Sequence, residues 1–546
     1  DWQTTHNVLL HYETCLIYHY FDSYNSSLQY TGSLNISGGN GYYTMTNKYY
    51  DSNGNLTYNY NALGAYAKYT YDTNNLITSI KKENGGIINF TWDTSKRLLL
   101  TMKEQTSNGN RITNYTYDDN NNINSKIIQG NNETLTWLYN WSSDGRLLSK
   151  TEPNGLMSMY DYYPIDGSSS SGLVKSISTS TGKVIKINSY DIRGNATSIT
   201  GIDGNTKTMT YDIRNRLITE TINNATNYYT YDLAGNLILV TFANGYQLTM
   251  TYDPSHRLTK IEDNLGGKED FILDATTSEI LNDSKYQDGV LIKTLNKVLD
   301  NAGNTIKIFK SNSLKSYNYS TLYNDGSISR GQDVNNTNII RNIYNTGNIQ
   351  NYSYAGDTIS YTYDYDDKIK TITANSQTTT YNYDDFGRLT QLVNPDTGSQ
   401  IMSYDTINGV KNRVDANNIT HKISSDIEGK ILTISHTNNN GSLLENFEYY
   451  SDNKLKKITD NSGSISFGYN NYGMLNQKTQ NINGKDFNIY YENNNIGQLT
   501  SMTYPSGMTV HYDYNKGFVS NIYVNGTDII KNVTYNSIEK EATSWV

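Results

Sequence analysis

A tyrosine followed by an aspartate recurs along this chain at intervals of 20 or 21 residues. A sequence with such a period folds as an array of like units, each burying its faces against its neighbours. The pair stands at Tyr50-Asp51, Tyr71-Asp72, Tyr190-Asp191, Tyr211-Asp212, Tyr231-Asp232, Tyr252-Asp253 and Tyr383-Asp384. Weaker copies are anchored at Trp92, Tyr117, Tyr160, Tyr344, Tyr363, Tyr404, Tyr449, Tyr469, Tyr491, Tyr512 and Tyr535, which carries the array almost to the C-terminus.

Each unit reads as a β-hairpin. Ahead of the aspartate, tyrosine alternates with a polar residue, as in Tyr69-Thr70-Tyr71 and Tyr381-Asn382-Tyr383, the period-2 pattern of a strand with one aromatic face. The aspartate then opens a turn, because its carboxylate can accept main-chain N–H groups just ahead of it. A glycine three positions later (Gly54, Gly194, Gly235, Gly387) supplies the positive φ that closes a type I turn with a bulge. Six residues after the tyrosine an aliphatic side chain returns, as at Leu56, Leu217, Leu237, Leu258 and Leu389, to seed the second strand. A further aliphatic three residues on, such as Ile80, Val240, Ile261 or Leu392, does not fit a regular strand and requires either a bulge or a strand end. Linkers rich in Asn, Gly, Ser and Thr lead to the next unit.

Composition agrees with a thin sheet. Only 36% of the residues are hydrophobic, and 51 tyrosines are counted within that share. Aliphatic material is too sparse for one thick core, yet 12% aromatic content is unlike a disordered chain. The predicted class is all-β: tandem hairpins forming a spiralling sheet, expected to wind into a hollow barrel or shell. Residues 1–41 are expected to be an N-terminal cap or irregular first repeat, and 42–546 the array, irregular around 266–342. The serine run Ser168–Ser171 is a further candidate insertion.

The pattern of Tyr383-Asp384-Asp385-Phe386-Gly387-Arg388-Leu389, and of Tyr231-Asp232-Leu233-Ala234-Gly235-Asn236-Leu237, resembles the Rhs/YD-repeat family over most of the chain. That family includes bacterial Rhs and wall-associated polymorphic toxins, the B/C cocoon of insecticidal toxin complexes and the shell of animal teneurins. The resemblance implies a β-sheet wound into a hollow barrel, whose bacterial versions enclose a C-terminal toxin. Bacterial shells of this kind carry a DPxGL-type motif at which an aspartyl self-cleavage frees the cargo. Here the nearest dipeptide, Asp253-Pro254, continues inside an ordinary repeat, so no catalytic residue is carried over.

Other chemistry is poorly supported. His11, Cys15 and His19, with His6 nearby, have a spacing that permits zinc, but three aligned candidates without a clear fourth ligand read better as positions in a cap. Asp51-Ser52-Asn53-Gly54-Asn55 looks like the start of a calcium loop, yet its glycine falls at position 4 and Ala62 stands where a bidentate glutamate is needed. The recurring aspartates are expected to be structural, and no HExxH, GxSxG or Walker-type loop is present. No cofactor and no metal is expected. The net charge of -9, dispersed along the chain, disfavours nucleic acid. No stretch approaches the ~18 consecutive apolar residues of a membrane span. A single cysteine, Cys15, rules out an intramolecular disulfide framework. The chain begins at Asp1 with no secretory leader and is expected to be a mature chain or an excised fragment.

The sequence therefore predicts a structural, non-enzymatic YD-repeat shell of a secreted or cell-surface protein, of bacterial source. Its expected partner is an encapsulated polypeptide cargo or C-terminal toxin domain outside this chain. The alternative is an adhesion or carbohydrate-binding scaffold that meets a cell-surface glycan or protein through exposed tyrosines.

Overall fold

The computed structural model describes the backbone of residues 9–12, 15–22, 31–38, 41–44, 46–61, 63–130, 132–299, 305–310, 313–314, 318–322, 328–333, 335, 337–438 and 441–546. Among these, every regular element is a β-strand, and strands neighbouring in sequence pair antiparallel.

The unit that begins at Tyr252 shows how the sequence makes this sheet. Strand Gln247–Tyr252 pairs with Leu258–Asp263, Tyr252 lying opposite Leu258, Thr251 opposite Lys260 and Met250 opposite Ile261. Thr259 is left over, so the ladder carries a one-residue bulge just past the turn. The Thr259 hydroxyl donates back to the Thr251 carbonyl at 3.1 Å, which ties the extra residue down. The same shift of register falls at Tyr50, Tyr71, Tyr211, Tyr231, Tyr363 and Tyr383. A bulge, and not a strand end, therefore explains the aliphatic spacing of three. With one residue looped out, Leu258 and Ile261 act as alternate residues and share a face opposite Tyr252 and Met250.

The turn between these strands is closed by the aspartate. Asp253 N–H donates to the Arg257 carbonyl at 2.9 Å, and its Oδ1 accepts the N–H groups of Ser255 at 2.9 Å and Arg257 at 3.0 Å. The fourth turn residue has positive φ whichever residue fills it: +82° at Gly54, +107° at Gly235, 60° at Asn75 and 61° at His256. Glycine is therefore preferred there but not obligatory, and asparagine, which tolerates this region, serves in several copies.

The strands group into two compact units. One comprises residues 1–139, 296–407 and 411–419, the other 140–295, 408–410 and 420–546. The first holds two runs of strands, from Thr46–Tyr50 to Ile123–Gln129 and from Asn318–Leu322 to Gly398–Asp405. The second likewise holds runs from Leu147–Thr151 to Ile280–Gln287 and from Thr420–Ser425 to Thr527–Ile530. Near the N-terminus, Leu9–Tyr12, Cys15–Asp22, Thr31–Gly38 and Gly41–Thr44 form a separate four-stranded antiparallel sheet. In the stretch marked as irregular, Gly267–Leu273 and Ile280–Gln287 still pair as a hairpin. The serine run lies in an enlarged turn, where Ser171 Oγ accepts the N–H groups of Asp166 and Gly167.

The interior is thin. Leu76, Met209, Val240 and Ile339 are among the few aliphatic side chains that are fully buried, and most tyrosines are half-buried. Among the described residues, stability must come from many small contacts repeated along the array.

Candidate functional site

The recurrent constellation of this chain is a clasp between consecutive repeats. The Tyr252 hydroxyl reaches back to donate to the Leu237 carbonyl at 2.9 Å, and Leu237 is the aliphatic residue six positions after the preceding Tyr231. Tyr71 does the same to Leu56 at 2.9 Å, Tyr211 to Ala196 at 3.1 Å, Tyr231 to Leu217 at 3.0 Å, Tyr383 to Ile369 at 2.9 Å and Tyr404 to Leu389 at 2.8 Å. At Tyr190 the acceptor is the Val174 carbonyl, at 2.7 Å. Trp92 substitutes its indole N–H, 2.7 Å from the Ile77 carbonyl. One ring thus fills the space between units and satisfies a main-chain acceptor in the same place. Burial pushes the phenols of Tyr71, Tyr190, Tyr252 and Tyr383 up from their ordinary value.

A second tie runs forward from the residue four after the tyrosine's aspartate. Arg216 Nε donates to Asp212 Oδ2 at 2.7 Å, its Nη1 to the Asp232 carbonyl of the next unit at 3.1 Å, and its guanidinium lies 4.5 Å from the centre of the Tyr231 ring. Arg388 likewise holds Asp384 at 2.7 Å and stacks on Tyr404. Where asparagine stands in this place it spans the same gap with its amide. Asn55 binds Asp51 Oδ2 at 3.0 Å and Asn75 Oδ1 at 2.8 Å; Asn195 binds Asp191 and Asn215. These amides and guanidinium groups, with the turn N–H groups, hold the carboxylates of Asp51, Asp191, Asp212, Asp232 and Asp253 below the usual carboxylate range.

Five weaker anchors need correction or refinement. Tyr160 and Tyr512 lie two residues ahead of the clasping residues, which are Tyr162, bonded to the Leu147 carbonyl at 2.8 Å, and Tyr514, bonded to Leu499 at 2.8 Å. In place of Tyr491, Asn493 donates to the Leu475 carbonyl at 2.9 Å and lies opposite Leu499. The strands of Tyr160 and Tyr512 alternate aromatic residues, so a motif search fixes on the wrong member of the pair; at Asn493 the clasping place holds no aromatic, and Leu499, six residues on, was the usable signal. Tyr344 occupies the aspartate's place, not the anchor's, and its hydroxyl points forward to the Tyr361 carbonyl at 3.2 Å. Tyr450 follows the anchor Tyr449 in the same way and reaches the Phe467 carbonyl at 3.0 Å.

Within each unit a seam joins the two runs, and nothing local in the sequence announces it. Linker turns of the first run meet aspartate turns of the second, across 245 to 284 residues of chain. In the first unit, Asn61 Nδ2 donates to the Asn345 carbonyl at 2.9 Å and Asn84 Nδ2 to the Tyr365 carbonyl at 3.1 Å. Thr106 Oγ1 donates to the buried Asp385 at 2.5 Å, and Arg388 pairs with Glu133 at 2.8 Å. Gly130 makes room for Phe386, whose ring would lie 2.7 Å from an added Cβ. In the second unit, Asn154 Nδ2 donates to the Ile427 carbonyl at 2.6 Å and Lys516 Nζ to the Asn264 carbonyl at 2.7 Å. Lys183 and Lys430 both reach Glu428; burial and the neighbouring Lys430 push the Lys183 ammonium down to about 8.

The other candidates are quickly placed. Asp51 is occupied in closing its own turn, accepting from Asn53 and Asn55 at 2.9 Å. Among the described residues no three His, Cys, Asp or Glu side chains come together as a metal cluster. The side chains of His6, His11, Cys15 and His19 lie outside the described residues. A cleft of about 350 Å³ in the second unit is lined by Phe242 with Asn223, Asn227, Asn244 and Asn495. Among the described residues no helix is long and apolar enough to cross a membrane.

Comparison with known proteins agrees with this geometry. The RHS Repeat family matches residues 231–268 and 363–399. No curated protein matches the sequence. Among solved structures, the complex TcdB2-TccC3-Cdc42 aligns with 95% of this chain and 35% of its own, at 11% identity and a TM-score of 0.50. TcdB2-TccC3 without its hypervariable C-terminal region aligns with 95% of this chain and 34% of its own, at 11% identity and a TM-score of 0.40. The Photorhabdus luminescens Tc holotoxin pore aligns with 93% and 36%, at 12% identity and a TM-score of 0.29. This chain thus spans about a third of the length of these three solved chains.

Proposed function

We propose, from the premise that this chain belongs to the Rhs/YD-repeat family, that it is a wall segment of a secreted or cell-surface shell enclosing a polypeptide cargo. The observation that carries this reading is the clasp. Most repeats bond to the one before them through a tyrosine hydroxyl, with an indole at Trp92 and an amide at Asn493 in its place, and several bond to the one after through an arginine or asparagine, so the sheet extends by like steps. Within each unit the seam ties run to run as well, which is how a thin wall without a thick core keeps water and proteases out. The tyrosine, aspartate, glycine, arginine and leucine positions of the motif are structural in this reading, and residues 1–41 serve as a cap. The fold likeness to TcdB2-TccC3-Cdc42 supports a place in toxin delivery.

Protease protection tests the reading. A reporter polypeptide appended after Val546 is expected to resist a protease that degrades it when free, and to become sensitive once the seam is broken. Equal digestion with and without the repeat chain would overturn encapsulation.

The cleft around Phe242 favours one second reading. An aromatic face flanked by four asparagines suits a glycan, and binding on a glycan array that is lost in Phe242→Ala would move the function toward adhesion.

A further inference from the structure

Three consecutive aspartate turns in the second unit present a bare aliphatic residue at the same place, one after the aspartate. Ile192, Ile213 and Leu233 are 85%, 80% and 90% exposed, and Pro254 follows in the next turn. A turn tip gains nothing in water from such a side chain, and three in register make a ridge. The second run shows what the position is for. There the equivalent residues are Asn345, Tyr365, Asp385 and Ile427, and each is seated on a linker turn of the first run. The Tyr365 ring lies against Gly85, and Ile427 Cδ1 lies over Gly155.

The chain also carries the complementary edge. At linker turns of the second run in this unit, Ile482 and Met508 are exposed at 44% and 36% beside Asn483-Gly484 and Ser506-Gly507, and Ile529, in the strand Thr527–Ile530 that follows the Asn525-Gly526 turn, is exposed at 55%. Gly484, Gly507 and Gly526 are themselves exposed, and an added Cβ there would meet nothing within 4 Å. The charges near the two edges are mixed, with a net acidic balance on the receiving one: Arg193 and Arg214 stand next to the aliphatic tips, and exposed Asp460, Asp486 and Lys485 stand in or beside linker turns.

We propose that the ridge of Ile192, Ile213 and Leu233 docks on the second-run linker turns of another copy of this chain, repeating between molecules the seam that each unit already contains. Such a contact is heterologous, with different surfaces on the two partners, so it propagates head to tail unless the rotation closes.

Sedimentation velocity on the whole chain tests this. The unaltered chain is expected to form species that lengthen with concentration. Ile192→Lys/Ile213→Lys/Leu233→Lys removes the tips, and Ile482→Lys/Ile529→Lys removes the receiving edge; all five sites are exposed, and circular dichroism checks that each variant is folded. Either variant alone is expected to sediment as a monomer, whereas an equimolar mixture yields dimers and nothing longer, because each supplies the edge the other lacks. A monomeric unaltered chain, continued association of either variant alone, or a mixture that stays monomeric would overturn the proposal.

Discussion

The hydroxyl of Tyr252 donates a hydrogen bond of 2.9 Å to the main-chain carbonyl of Leu237, one repeat earlier in the chain. That single bond explains why the position is tyrosine and not phenylalanine. Either ring would fill the gap between hairpins, but only the phenol also satisfies the carbonyl beneath it. Tyr252→Phe should therefore keep the fold and lose about 0.5–1.5 kcal/mol, while Tyr252→Ala loses the packing as well. Amide hydrogen exchange across 231–263 is the suitable measurement, because an array need not unfold in one step. Unchanged protection in Tyr252→Phe would remove the clasp from the account.

The aspartate's work is done by its Oδ1, which caps two N–H groups of its own turn. Asparagine retains that oxygen, and the chain itself uses it at Asn470 and Asn494, where the same two N–H groups are accepted. Asp253→Asn is expected to cost less thermal stability than Asp253→Ala, measured by melting temperature; equal losses would show that the charge pair with Arg257 dominates.

Acid should loosen the whole array. The carboxylates of Asp51, Asp191, Asp212, Asp232 and Asp253 are held below their unfolded value of about 3.9. The stability they contribute is thus present above that value and is lost as pH falls through their lower folded values. A circular-dichroism titration should show the strand signal steady at mildly acidic pH and falling below about pH 4. Loss of structure already near pH 6 would point to other groups.

The tyrosines predict the opposite limit. Burial raises the phenols of Tyr71, Tyr190, Tyr252 and Tyr383, so their contribution is complete below about pH 10 and disappears as pH rises through the folded values. Phenolate absorbance near 295 nm should lag behind that of free tyrosine and then rise together with loss of the sheet. Titration of every tyrosine at the free value with the sheet intact would contradict the clasp.

The seam can be broken at one point. Asp385 is only 3% exposed and accepts from the Thr106 hydroxyl at 2.5 Å. Asp385→Ala should cost about 1–3 kcal/mol by leaving buried polar groups unsatisfied. Limited proteolysis should then cut first at the linker turn around 106–109. A variant as resistant as the parent would show that the seam does not hold the runs.

The sequence was most informative where one residue type does one local job. The turn aspartate, the positive-φ residue after it and the paired Tyr252 and Leu258 could all be read from spacing alone. The bulge at Thr259 was visible only as an awkward interval, since one looped-out residue leaves no composition signal. The clasps of Tyr162 and Tyr514 were misplaced because neighbouring aromatics offer two equivalent registers, and that of Asn493 because an amide stands where the pattern has an aromatic ring. The seam was not legible at all: Thr106 and Asp385 are 279 residues apart, and neither residue is unusual where it stands.

An electron cryomicroscopy map of the intact protein that contains this chain tests the central claim most directly. The account predicts a continuous antiparallel wall, clasped from repeat to repeat mostly by tyrosine hydroxyls, surrounding density for an enclosed polypeptide. A sheet open to solvent on both faces, with no enclosed space, would contradict it.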